Sequence, residues 1–316
     1  MRDRDQIDVV DRRQFLRRAG VAMAGGGVLL ASRPFARSAG REAVPSSPGQ
    51  VGSNIYGWSQ YYQRDGKDVQ AHLDEVMSAL RDAGYDYLEC FMDTANPENN
   101  ARLGERMKAK GLKPVSLYTG ARLHEEAAAE AARSRIVAAA RVCRSAGFEI
   151  VSCNADPIGR AKTESELAIQ AAALDRLGKE LAELGLRMGL HHHLPEMADQ
   201  GREFHRMFRD TDPERVGFCY DVHWVFRGGI RPIEALAAYG NRVVTWHLRQ
   251  SREGIWWEDL DSGDIDYREV AQYALEHRLP RRFTVELALE KNTRVTRSAV
   301  ENHRRSIEYV RRVFGV

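Results

Sequence analysis

Four glycines divide the middle of the chain at similar intervals, and each stands between an amphipathic stretch and a short apolar run. Gly84 precedes Tyr87-Leu88-Glu89-Cys90-Phe91 and Gly111 precedes Pro114-Val115-Ser116-Leu117-Tyr118. Gly147 precedes Ile150-Val151-Ser152-Cys153, and Gly185 precedes Met188-Gly189-Leu190-His191. A glycine just past a helix end adopts the left-handed conformation that closes the helix and lets a strand begin at once. The separations of 27, 36 and 38 residues are the length of one strand-plus-helix unit. The amphipathic stretches have the helical period: Val69, Leu73, Val76, Met77 and Leu80 fall on one face. Further strands are predicted at Val216–Asp221, Val243–Leu248 and Phe283–Leu287, a first one at Ile55–Trp58, and a last helix at Ser298–Phe314. Eight strands in the 266 residues after Gln50 leave about 33 residues per unit, which predicts one (β/α)8 barrel domain over residues 51–316. The alternative, an open doubly wound sheet, carries a Gly-rich phosphate fingerprint after its first strand. Here that turn reads Gly57-Trp58-Ser59-Gln60-Tyr61.

Charge separates the first forty residues from the rest. They hold eight Arg and four Asp, which leaves 39 basic and 41 acidic residues beyond them, so the overall +2 becomes −2. A nucleic-acid partner needs a basic footprint, and this remainder has none. Asp11-Arg12-Arg13-Gln14-Phe15-Leu16-Arg17 is similar to the twin-arginine export motif. A weakly apolar stretch from Ala19 to Ser32 follows, and Ala36-Arg37-Ser38 offers small residues before a cleavage point. This order predicts a signal peptide over 1–40, a linker over 41–50, the twin-arginine translocase as a transient partner and a periplasmic mature chain. No run of eighteen apolar residues exists, so no stable membrane insertion is expected. Cys90, Cys143, Cys153 and Cys219 are scattered, without a Cys-x-x-Cys pair, and read as small buried hydrophobes with no required disulfide.

In a (β/α)8 barrel the chemistry sits at the C-terminal ends of the strands. Four late strands end in metal-competent residues: Met188 to His193, Phe218 to His223, Val243 to Arg249, and Phe283 to Leu287 with Glu286. Side chains alternate along a strand, so His191 and His193 share a face, as do Asp221 and His223, and Thr245, His247 and Arg249. A lone strand histidine is more simply read as a hydrogen-bonded structural residue. Four consecutive strands with the same habit point to a divalent metal site.

These residues also carry a resemblance. Gly189-Leu190-His191-His192-His193-Leu194-Pro195-Glu196 is similar to a Gly-x-His-Asn-His-x-x-Glu fifth strand. Asp221-Val222-His223 with Gly228-Gly229, His247-Leu248-Arg249, Gly263-Asp264-Ile265-Asp266 and Glu286 follow in the matching order. From about Asn54 to Val313 the chain resembles the sugar phosphate isomerase/epimerase family of xylose isomerase-like TIM barrels. The resemblance implies one divalent ion held by the fifth-strand residue, Asp221, His247 and Glu286, in a protein that often forms dimers or tetramers. The fifth-strand residue is usually Glu in the epimerases and is His191 here, so a proton exchange between two glutamates does not transfer unchanged. The resulting donor set suits Mn²⁺, Co²⁺, Fe²⁺ or Zn²⁺ better than Mg²⁺.

A metal that chelates a carbonyl oxygen and the adjacent hydroxyl oxygen acidifies the C–H bond between them by stabilising an enediolate. Glu286 is the family-like base, with His193 and Glu196 as second choices; Glu196 has a solvated loop carboxylate as its alternative. For substrate binding the candidates are Glu89, similar to the family's pocket-facing second-strand Glu, and His223. Arg249 joins them, unless it pairs with Asp259 or Asp261. The aromatic candidates are Trp256 and Trp257 after the seventh strand and Trp58 at the end of the first, each with core packing as its alternative. The expected function is an exported metal-dependent isomerase, epimerase or lyase acting on a sugar or keto-sugar. A non-catalytic carbohydrate-binding barrel is the main alternative. An apurinic endonuclease, which shares the barrel, is disfavoured by the charge balance and the export motif.

Overall fold

The computed structural model describes residues 49–316; the predicted signal peptide and most of the linker lie outside the described residues. Gly84, Gly111, Gly147 and Gly185 have φ of 92°, 78°, 104° and 77°, each at or just past a helix end, as the sequence predicts. The strands they release are β2 (Tyr87–Phe91), β3 (Ser116–Ala121), β4 (Ile150–Ala155) and β5 (Arg187–His191), preceded by β1 (Gln50–Asn54). β6 (Gly217–Asp221) and β7 (Val243–Leu248) follow, then a short hairpin of β8 (Ser251–Arg252) and β9 (Ile255–Trp256), then β10 (Arg282–Val285). β10 pairs in parallel with both β7 and β1, closing an eight-stranded barrel. The predicted (β/α)8 TIM barrel is the observed fold.

The first strand lies elsewhere than predicted. Ile55–Trp58 belongs to the helix Ile55–Arg64, and the strand is Gln50–Asn54. Asn54 turns the chain: its side-chain oxygen accepts the Tyr56 N–H at 2.7 Å and caps the helix. The strand looks too weak for a barrel because its centre is Gly52, where a Cβ would lie 2.1 Å from the Tyr87 ring.

Most apolar residues pack between the barrel and its helices, Val76, Met77 and Leu80 among them. A separate cluster of Tyr87, Val115, Ile150 and Val244 fills the inside of the barrel near the starts of the strands. Phe218 pairs with Val243 but Cys219 pairs with Thr245, so Val244 is the extra residue of a bulge. Gly217 accommodates it, since a Cβ there would come within 2.6 Å of the valine methyl. With the floor filled, the open end of the barrel is the C-terminal mouth. All four cysteines are buried and free. Among the described residues no helix is long and apolar enough to cross a membrane.

Candidate metal centre and active site

His191 is the last residue of β5, Asp221 the last of β6, and His247 lies near the end of β7, paired in register with Asp221. Glu286 follows β10, and its N–H donates to the Leu248 carbonyl at 3.0 Å, which carries the strand geometry one residue further. One ligand atom from each of His191, Asp221, His247 and Glu286 lies within 4.8 Å of the others, and all four residues are buried. Asp221 uses Oδ1 to accept the Trp224 N–H at 2.8 Å, which leaves Oδ2 facing His191 Nε2 at 3.4 Å. Both ring nitrogens of His191 are buried without a hydrogen-bond partner. Burial, with three further histidines and Arg249 nearby, pushes the His191 pKa far down, so it presents neutral nitrogen donors. Unpartnered imidazole beside two carboxylates is the donor chemistry of a divalent transition-metal site. The residues fit the ion.

Glu89 reaches the centre from β2. Its carboxylate is fully buried and accepts from Asn54 Nδ2 at 2.8 Å and from the hydroxyls of Ser116 at 2.5 Å and Ser152 at 3.0 Å. Its Oε2 also lies 2.8 Å from His247 Nε2, an ion-pair contact with less than hydrogen-bond alignment. Nδ1 of the same ring faces Glu286 Oε2 at 3.0 Å. Glu89 therefore holds the ring that offers Nδ1 to the centre, the carboxylate–histidine arrangement that orients metal ligands. Burial would raise the Glu89 pKa, but His247 and the surrounding donors hold it below the usual carboxylate range. Burial would likewise lower that of His247, but Cys219 and the carboxylates of Glu89 and Glu286 keep it well above the usual histidine value.

Arg249 lies at the centre. It pairs with neither Asp259 nor Asp261 but places Nη2 3.2 Å from Asp221 Oδ2 and 3.1 Å from Glu286 Oε1. Asp259 is taken by Arg297 at 2.9 Å and by Arg305 at 2.7 Å. The Arg249 guanidinium lies over Trp256 at 4.2 Å and Trp224 at 5.3 Å, and the two indoles meet edge to face. Trp256 is buried, with Trp257 half-buried beside it under Arg252. His223 does not continue β6; it lies on the helix Val222–Arg227 with both ring nitrogens buried and unpartnered, its ring edge-on to Trp256. Burial raises the Asp221 pKa, while Arg249 and His247 override burial and lower that of Glu286.

His193 leaves the strand, yet its half-buried ring stays 4.7 Å from that of His191, edge-on, and meets Trp224 on its other side. Burial pushes its pKa down to about 4, so it is neutral at pH 7. Glu196 is not a solvated loop carboxylate. It is buried, its Oε2 accepts the His193 backbone N–H at 2.8 Å, and it lines a cavity behind β5 with His192, Glu203 and Phe204. Trp58 lies in the core, its indole N–H donating to Ser53 at 3.1 Å and its ring stacked on His303, so it is removed from the substrate candidates. Sequence reasoning missed Trp224, Ser116, Ser152 and Asn54. Only Trp224 had a visible signal: it follows Asp221 by one helical turn.

The chain matches the family described as Xylose isomerase-like TIM barrel over residues 77–313. Among curated proteins, inosose dehydratase of Geobacillus kaustophilus (strain HTA426) is 29% identical over 106 residues, 34% of this chain and 34% of that protein. The match thus spans about a third of the relative's length. A solved sugar phosphate isomerase/epimerase from Parabacteroides distasonis ATCC 8503 superposes with a TM-score of 0.67 at 20% identity, covering 85% of this chain and 96% of that one. An L-ribulose 3-epimerase structure gives 0.67 at 16% identity, covering 85% and 95%. At such identities the likeness is one of fold. The family match covers most of the chain, and with the closed barrel and the ordered late-strand residues it makes this protein a member of the xylose isomerase-like TIM barrel family.

Proposed function

We propose that the chain is a divalent-metal-dependent enzyme that removes the proton beside the carbonyl of a keto-sugar or keto-polyol and eliminates water. Epimerisation and isomerisation are the alternative fates of the same proton. The observation that carries this reading is the convergence of His191, Asp221, His247 and Glu286, with both His191 nitrogens buried and unpartnered. A divalent ion bound there, Mn²⁺, Co²⁺, Fe²⁺ or Zn²⁺ by its donors, supplies polarisation of the substrate's carbonyl and neighbouring hydroxyl oxygens. The protein supplies the proton transfers. Glu286 is held ionised by Arg249 and His247 and takes the C–H proton. The protonated Glu286 then gives that proton to the β-hydroxyl as its C–O bond breaks, and water leaves. Neutral His193, braced by Trp224, accepts a hydrogen bond from a substrate hydroxyl and orients it. His223, edge-on to Trp256, is a further candidate for a substrate contact. Relatives named inosose dehydratase support elimination from a ketone of a cyclic polyol as the first reaction to try.

The first measurement is metal content of protein purified without chelator, beside His191→Ala and Glu286→Ala. About one transition ion per chain, lost in both variants, is expected, followed by dehydration or solvent-deuterium exchange on inosose and related keto-sugars. A wild type that takes up no metal even after reconstitution overturns the proposal and favours a carbohydrate-binding barrel. In the same reading, residues 1–40 direct the folded chain through the twin-arginine translocase to the periplasm. Replacing Arg12 and Arg13 with Lys is expected to leave it in the cytoplasm.

A further inference from the structure

Arg249 is a cation already installed in the centre. Its side chain is 1% exposed, and its backbone is fixed from both directions: its N–H donates to the Tyr267 hydroxyl at 3.1 Å, and that hydroxyl donates to the Arg249 carbonyl at 2.5 Å. Trp256 and Trp224 hold the guanidinium in place. One nitrogen, Nη2, contacts Asp221 Oδ2 and Glu286 Oε1 together. The choice of oxygen matters. Asp221 Oδ1 is committed to the Trp224 N–H, so Oδ2 is the oxygen left to bind an ion, and it is the one that faces His191 Nε2. Arg249 thus occupies a position on the Asp221 atom that a metal needs. It is buried under indoles instead of being offered to the mouth.

We propose that Arg249 is a resident counter-cation of the metal centre, a positioning residue that opposes metal loading and bridges the two carboxylates when the ion is absent. This inference rests on the metal reading above. Without an ion, Glu89, Asp221 and Glu286 place three buried carboxylates around His247, and an unpaired buried charge is strongly destabilising. Arg249 removes that penalty, and the same positive charge weakens the site's attraction for a divalent ion. Metal affinity is then set by a balance between Arg249 and the ligands, which lets one scaffold hold its shape both empty and loaded.

The test is calorimetric titration of Co²⁺ into metal-stripped full-length protein, with the cobalt absorption bands as a second readout of the ligand field. Arg249→Met keeps the volume and removes the charge. It is expected to bind Co²⁺ about tenfold more tightly or better, the scale on which a neighbouring charge shifts a site's affinity, and to lose thermal stability in the metal-free state. Arg249→Gln, which retains amide donors toward both carboxylates, is the second neutral variant in case the first folds poorly, with the same expected direction. Arg249→Lys keeps the charge and is expected to stay within about threefold of wild type. If wild type takes up Co²⁺ but both neutral variants bind it no more tightly, the counter-cation is overturned while the metal site stands. If wild type itself takes up no ion, the proposed function falls first and this inference with it.

Discussion

Two buried glutamates, on β2 and just past β5, show how differently parts of the barrel treat polar groups. Glu89, on β2, has its carboxylate matched by Asn54, Ser116, Ser152 and His247, and its pKa is held down. Glu196, just past β5, has one oxygen on the His193 N–H and the other buried without a partner, and its pKa is pushed up to about 7 by burial and by the nearby Glu203. The pattern extends beyond the pair. On the early strands Tyr118 donates to Asn154 at 2.6 Å, while on and after the late strands His191, His192 and His223 bury ring nitrogens with no partner. Leaving a buried polar group unmatched costs about 1–3 kcal/mol. The Glu89 network on the early strands is therefore support, matched within the protein. The late strands instead bring together the donors that could hold a metal ion.

The most severe test of that division is Asp221→Ala. It removes a ligand and leaves Arg249 half-paired, and metal content is expected to fall from about one ion per chain to nearly none by elemental analysis. Retention of a full equivalent would mean that the late half is merely a charged core.

Stability against pH sharpens the contrast through Glu196. Its pKa is 4.5 when exposed and about 7 when folded, so the folded state holds the proton more tightly. The resulting stabilisation is fully present below pH 4.5 and is lost as pH rises through 7. The full swing is about 3 kcal/mol by linkage. Glu196→Gln is expected to match wild type near pH 4.5 and to exceed it above pH 7, read from urea midpoints at both pH values. Parallel pH profiles for the two proteins would show that Glu196 is not held protonated.

Glu89 makes the opposite case. Glu89→Gln keeps the shape and the hydroxyl contacts but removes the charge behind His247, and metal affinity is expected to drop about 10- to 100-fold. The fold should persist and excess metal should refill the site. A loss as complete as that of Asp221→Ala would place Glu89 among the ligands and erase the distinction between the halves.

The two halves were also unequally legible in the sequence. His191, Asp221, His247 and Glu286 end apolar strands, where a polar residue is conspicuous; alternation showed which residues share a face, and the family resemblance singled out these four. Alternation failed where the chain left the strand: His193 enters a turn, though its ring stays beside that of His191, and His223 enters a helix. The glycine caps fixed the unit boundaries because positive φ is a local requirement. β1 was misplaced because Gly52 had given up its side chain to the ring of Tyr87, a residue 35 positions away. Ser116, Ser152 and Asn54 are invisible for the same reason: their role is defined by Glu89 on another strand. Arg249 was given Asp259 or Asp261 only as alternative partners, and the barrel closure brings Asp221 and Glu286 to it instead.

The smallest effect belongs to Trp58, the aromatic that the sequence assigned to the substrate and the structure places in the early half. Its indole N–H has one acceptor, Ser53 Oγ, and its ring has one stacking partner, His303 at 4.2 Å. Trp58→Phe keeps an aromatic ring but loses the hydrogen bond and part of the stack, so a stability loss of about 1–2 kcal/mol is expected. Co²⁺ affinity and substrate KM should stay within about twofold, because Trp58 reaches the centre only through Ser53 and Asn54, whose backbone the substitution leaves in place. Trp256→Phe supplies the contrast: it lies against Arg249, so its effect should appear in metal affinity more than in stability. A Trp58→Phe protein with wild-type stability and a tenfold higher KM would return that indole to the mouth. It would also show that the supporting half of the barrel touches substrate after all.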